Sequence, residues 1–200
     1  MYFNQIGNEP LDTIAIIQAS FDHVVEVYDQ WMTPILAKYD QSCSVSSKHC
    51  TIKRAFNFAS PRVRSVPTKC VFFEVSDHFT IYFDDHFNGG GVTTVAPALA
   101  KRVGCTTLRV TDDEEDSPSL LISIYKSSMA SSRWFAWTDD GNGMEFMSGG
   151  EELPKEREIF PTPLTRLISD DLSRLVESFG ATLDFNPDQT VRCNLITVHR

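Results

Sequence analysis

Between Cys70 and Met147, short aromatic and β-branched runs follow one another at tight spacing. No other feature of the chain limits its fold so strongly. Cys70 to Val75 and Phe79 to Phe83 are separated only by Ser76-Asp77-His78, which predicts a β-hairpin. Thr106 to Val110, Leu120 to Tyr125, Arg133 to Thr138 and Gly143 to Met147 predict further strands. The last two are joined by the turn Asp139-Asp140-Gly141-Asn142-Gly143. Parallel neighbours need crossovers of about a dozen residues or more, so connections this short predict a mostly antiparallel sheet.

The segments around this region carry helical periodicity. Ile14, Ile17, Phe21, Val24, Val25, Tyr28, Trp31, Met32 and Ile35 recur at three- and four-residue steps. That stripe predicts an N-terminal amphipathic helix, capped by Asp12 and kinked or split near Thr33 by Pro34. Gln41 to Lys48 reads as a Ser-rich loop, Thr51 to Phe58 as a strand, and Ser60 to Pro67 as a connection. Asn88-Gly89-Gly90-Gly91 breaks the chain. Val92 to Val103 then reads as a short helix with Val95, Leu99 and Val103 on one side and Gly104 as its C-terminal cap. A C-terminal helix is predicted from about Pro163 to Phe179, with Thr162 as cap and Gly180 as terminator. Thr190 to Val198 is expected as an edge strand. The expected fold class is therefore α+β: a single domain over residues 1–200, with a mostly antiparallel sheet flanked by an N-terminal and a C-terminal amphipathic helix.

Charge restricts the classes of function. The chain carries 18 Lys+Arg against 27 Asp+Glu, a formal net charge of −9. General nucleic-acid binding and charge-driven membrane attachment both need a basic surface, and neither is expected. The distribution is uneven. Residues 41–73 hold six Lys/Arg (Lys48, Lys53, Arg54, Arg62, Arg64, Lys69) and no acidic residue, while the remainder totals −15. The five cysteines, an odd number in loose spacing, are expected to be free and buried in a reducing cytosol. No basic n-region with an apolar stretch opens the chain, and no 18-residue apolar window occurs, so a cytoplasmic location is expected.

Candidate chemistry is sparse. Gly89-Gly90-Gly91 before a helix start is able to cradle an anion, but a phosphate-loop Lys-Ser/Thr is missing and Asp84 and Asp85 lie just upstream. His78, Asp84, Asp85 and His86 are metal-ligand types, yet they fall at the two ends of one predicted strand. They are expected to be solvated loop residues. His49 and Cys50 are adjacent, which on a strand sends them to opposite faces. No catalytic residue, cofactor site or metal site is expected. Paired carboxylates are frequent, and the run Asp112-Asp113-Glu114-Glu115-Asp116 is too dense to bury. It is expected to be a solvated loop or, with Asp139 and Asp140, the contact surface for a basic partner. Trp134, Phe135, Trp137, Phe146 and Met147 cluster on one hairpin, with at least one face expected in the core and the other open to a partner.

Several stretches together resemble a known group. These are FEVSDHFTIYFDDHFNGGG, VAPALAKRVGCTTLRVTDDEED, SIYKSS, RWFAWTDDGNGMEFMSGGEELPKE and PLTRLISDDLSRLVESFGA, spanning about residues 70–181. They resemble small bacterial proteins of toxin–immunity loci. Ala100 stands where Ser is common in that pattern, and Lys155-Glu156 where Phe-Glu is common. The resemblance implies a compact, cytoplasmic, non-enzymatic protein that neutralises a cognate, basic toxin by direct binding, and it carries over no particular functional residue. The alternatives are a small hydrolase or nucleotide-handling enzyme using a carboxylate pair or the Gly89–Gly91 loop, and a structural or assembly protein. Homo-oligomerisation is left open.

Overall fold

The structure is a computed structural model that describes residues 13–59, 68–85, 90–113, 119–128, 132–139, 141–154, 156–160 and 164–199. Its strands are β1 (Thr13–Ile17), β2 (Ser42–Thr51), β3 (Lys69–Ser76), β4 (Phe79–Asp84), β5 (Thr106–Asp113), β6 (Ser119–Lys126), β7 (Arg133–Asp139), β8 (Met144–Gly149) and β9 (Thr190–His199). The helices are α1 (Phe21–Lys38), α2 (Ile52–Phe58), α3 (Gly90–Leu99), α4 (Glu156–Ile159) and α5 (Ser169–Ser178). Residues Ala100–Gly104 extend α3 by a π-helical turn that closes at Gly104, whose φ is 75°.

All nine strands form one sheet in the order β2-β9-β3-β4-β1-β5-β6-β7-β8, and every pairing is antiparallel. The expected hairpin β3–β4 and the β5–β8 meander are present. Fold class α+β follows from this one sheet and its helices.

Helices cover both faces of the sheet. Tyr28 of α1 packs edge-on against Phe72, with ring centroids 4.9 Å apart, while Phe56 of α2 lies 4.7 Å from Phe83 and 6.2 Å from Phe73. Phe72 and Phe73 are consecutive in β3, so α1 and α2 sit on opposite sides. The central strands are consequently buried on both faces, and all five residues of β1, Thr-Ile-Ala-Ile-Ile, are inaccessible.

That double burial overturns the first predicted helix. A strand covered on both sides reads as a continuous apolar run without period-two alternation. Ile14 and Ile17 therefore joined the helical stripe by coincidence of spacing, and the helix starts at Phe21 with Ser20 at its N-cap position. Asp12, the expected cap, lies outside the described residues. Pro34 does not split α1, which runs unbroken to Lys38. Pro34 and Gln30 are both exposed, so the Gln30 carbonyl left without its helical partner faces water.

Three other expectations are corrected. Gln41 to Lys48 is not a loop: Ser42–Thr51 pairs residue for residue with Thr190–His199 as an edge strand, where polar side chains are tolerated on the open side. Thr51 to Phe58 is not a strand. Thr51 ends β2 and caps α2, its hydroxyl accepting from the Arg54 amide at 3.2 Å. Because β2 takes the edge, β9 lies inside the sheet, between β2 and β3. The C-terminal helix is also shorter than expected. It begins at Ser169, where the Asp171 carboxylate accepts from the Ile168 amide at 3.2 Å. The expected cap at Thr162 and Pro163, and the connection from Ser60 to Pro67, lie outside the described residues.

Candidate functional site

Helix α1 crosses the β2–β9–β3 end of the sheet and leaves a groove. Its inward face buries Phe21, Val24, Tyr28 and Leu36. Two adjoining hollows of about 350 Å³ each lie between this helix and the sheet, and both are lined by Tyr28, Met32, Leu36 and Val198. Three large apolar side chains stand open along the groove: Ile35 at 38% exposure, Val45 at 48% and Tyr39 at 65%. The helix side of the first hollow carries Asp22, Glu26 and Asp29; no Lys or Arg is among the described residues that line it, while Lys69 lines the second. These carboxylates follow at four- and three-residue steps, so one flank of α1 presents all of them. Asp22 is held by Arg192 at 3.1 Å, and the Arg192 guanidinium also stacks 4.5 Å over the Phe21 ring.

The groove floor is polar but committed. Tyr28 Oη lies 3.5 Å from Cys70 Sγ, and Tyr82 Oη donates to Asp84 Oδ2 at 2.9 Å. Burial pushes the Cys70 thiol up to about 12, despite the opposing Tyr28 hydrogen bond. Burial likewise raises Tyr28 and Tyr82, and it raises Cys43 with help from Asp29. A thiol with so high a pKa is protonated at neutral pH and is a weak nucleophile.

Asp84 and Asp85 are not the solvated residues the sequence suggested. Each is only 1% exposed. Asp85 accepts from the Thr68 amide and hydroxyl, both at 2.7 Å, and from the Lys69 amide at 2.9 Å, which fixes the entry into β3. Asp84 lies against Gly91 at the start of α3, where a Cβ would collide with the Asp84 carboxylate. That buried negative charge beside Gly91 disfavours an anion there. His78 sits in the β3–β4 turn, at the other end of β4 from Asp84, while His86 and Gly89 lie outside the described residues. Among the described residues no group of three or more His, Cys, Asp or Glu is placed to hold a metal ion.

The acidic runs are brought together only in part. Strand register aligns Asp113 with Ser119 and Ser119 with Thr138, so the ends of β5 and β7 meet at one end of the sheet. Asp112 departs from expectation. It follows Leu108 and Val110 on the inward-pointing alternation of β5 and is 2% exposed, so it offers no surface contact. Asp139 is exposed, but its Oδ1 accepts from the amides of Gly141 and Gly143, at 2.8 and 3.2 Å, and shapes the hairpin turn. Glu114, Glu115, Asp116 and Asp140 lie outside the described residues. On the aromatic hairpin, Phe135 is buried against Phe160 at 5.5 Å, as expected of one face, while Met147 is 37% exposed.

The groove was not anticipated. Its sequence signal was the alternation Cys43-x-Val45 within the Ser-rich run, which places both side chains on the face of β2 toward α1. Compared with protein-family models, curated proteins and solved structures, the chain shows no significant match.

Proposed function

We propose that this chain is an immunity-type binding protein that neutralises a basic toxin by direct contact, and that the α1–β2 groove is where the partner docks. The observation that carries this is the composition of the groove. Exposed Ile35, Tyr39 and Val45 offer apolar anchoring, and Asp22, Glu26 and Asp29 supply a negative lip, with no cation among the described residues that line the first hollow and Lys69 on the second. Buried apolar anchors provide most of the energy of an interface, and complementary charge speeds encounter and selects the partner. Among the described strands β2 pairs only with β9, so its other side offers backbone groups that an extended segment of the partner can bond.

Under this proposal the antiparallel sheet, flanked by α1 and α5 in one domain, is a rigid scaffold. Asp113 and Asp139, at the ends of β5 and β7, contribute long-range attraction to the same basic partner. The protein acts in the cytoplasm, without cofactor or catalysis. Immunity genes sit beside the genes of their toxins, which defines the test. The product of the gene immediately upstream is expected to be toxic when expressed alone and harmless when co-expressed with this chain. A harmless product, or toxicity that co-expression does not relieve, contradicts the proposal.

A further inference from the structure

Cys50 and Cys193 sit on neighbouring strands at the open edge of the sheet. Their sulfurs are 2.7 Å apart, on the sheet face covered by α2. That is only roughly 0.65 Å longer than the ~2.05 Å of a disulfide bond. The register pairs Cys50 with Val191 and Cys193 with Lys48, so the two cysteines face each other diagonally across β2 and β9. Both are buried, Cys193 fully and Cys50 at 5% exposure. The other thiols are placed differently: Cys43 alternates to the opposite face of β2 and Cys70 contacts Tyr28.

We infer that Cys50 and Cys193 are a disulfide-forming pair that clips the edge strand β2 onto β9 under oxidising conditions. The oxidant is a low-molecular-weight disulfide of the glutathione class. One protein thiolate attacks a sulfur of that disulfide, releasing one small thiol and leaving a mixed disulfide. The second protein thiol gives up its proton and attacks the protein-side sulfur. The Cys50–Cys193 bond forms and the second small thiol leaves. Two electrons and two protons from the protein thus end on two reduced small thiols.

Closure occurs most readily during folding, while both thiols are still accessible. In the folded dithiol form, burial pushes the Cys193 thiol up to about 12, although Lys48 and Arg54 act in the opposite sense. The cross-link joins positions 143 residues apart. A loop of that length removes much of the freedom of the unfolded chain. The edge strand is also where a clip has most effect, because among the described strands β2 pairs only with β9.

The test is refolding of the full chain in a glutathione redox buffer, followed by intact mass measurement and peptide mapping without reductant. Support is a mass lower by two hydrogen atoms, one linked peptide pair containing Cys50 and Cys193, and three remaining titratable thiols. A Tm higher by roughly 5–10 °C than in dithiothreitol is expected alongside it. Cys43→Ser is expected to leave the link intact, and Cys193→Ser to abolish it. Five free thiols after oxidative refolding, or a link between other cysteines, overturns the inference. The wild-type map alone decides, should Cys193→Ser fail to fold.

Discussion

At the residue scale, the contact between Asp84 and Gly91 shows how a carboxylate is built into the core rather than offered to a ligand. Glycine in a helix ordinarily loses about 1 kcal/mol relative to alanine. Here the sign is reversed, because the new methyl would collide with a carboxylate that is 1% exposed and held by Tyr82. Gly91→Ala is expected to destabilise the fold by about 2–4 kcal/mol, read from urea denaturation, through overpacking and the broken Tyr82 bond. The buried thiol of Cys70 makes a second prediction. Its pKa rises from 9.0 to about 12 in the folded state, so the folded protein keeps a proton that the unfolded chain releases first. The stability this provides is fully present below about pH 9 and is lost as pH climbs toward 12, by up to ~1.4 kcal/mol per pH unit. Urea midpoints measured from pH 8 to pH 10.5 are expected to fall, and a shallower fall is expected in Cys70→Ser.

At the scale of elements, burial on both faces of the sheet decides what the sequence displays. The hairpin β3–β4 and the strands β5 to β8 were legible because short turns separate aromatic and β-branched runs. Strand β1 was not, because complete burial erased its alternation, and β2 was not, because an edge strand tolerates Ser and Lys on its open side. Those two misassignments hid the groove, since it exists only where α1 passes over β2 and β9. The carboxylate pair at Asp84 and Asp85 was legible as a cluster, but its burial depends on Thr68, Tyr82 and Gly91, which are distant or unremarkable in sequence. Pro34 tests the account of α1. Because it is exposed within a continuous helix, Pro34→Ala restores an amide to the Gln30 carbonyl without disturbing packing. It is expected to stabilise the protein by about 1–3 kcal/mol, seen as a higher Tm.

At the scale of the whole molecule, the acidic flank of α1 and the basic residues of α2 lie on opposite faces of the sheet, with Lys38 in α1 and Arg102 and Arg192 stacked on its Trp31 and Phe21. Asp22, Glu26 and Asp29 are on α1, while Lys53 and Arg54 are exposed on α2 across the sheet. Lys48 and Lys69 lie in β2 and β3, and Arg62 and Arg64 lie outside the described residues. Among the described residues, Lys69 of the basic stretch lines the second hollow of the groove and Arg192, from outside that stretch, pairs with Asp22, while Glu26 and Asp29 stay exposed on the lip. No helix among the described residues is long and apolar enough to cross a membrane. A basic protein partner meeting the α1 face fits this arrangement, and burying Val45 in the interface would place a charge at that position in direct conflict with docking. The most direct measurement is calorimetric titration of this chain with the purified product of the adjacent upstream gene, beside the variants Val45→Asp in the groove and Met144→Asp on β8. Tight one-to-one binding that Val45→Asp weakens by about 100-fold and Met144→Asp leaves intact is the predicted result. No binding by the wild-type chain, or binding that Val45→Asp leaves unchanged, would contradict it.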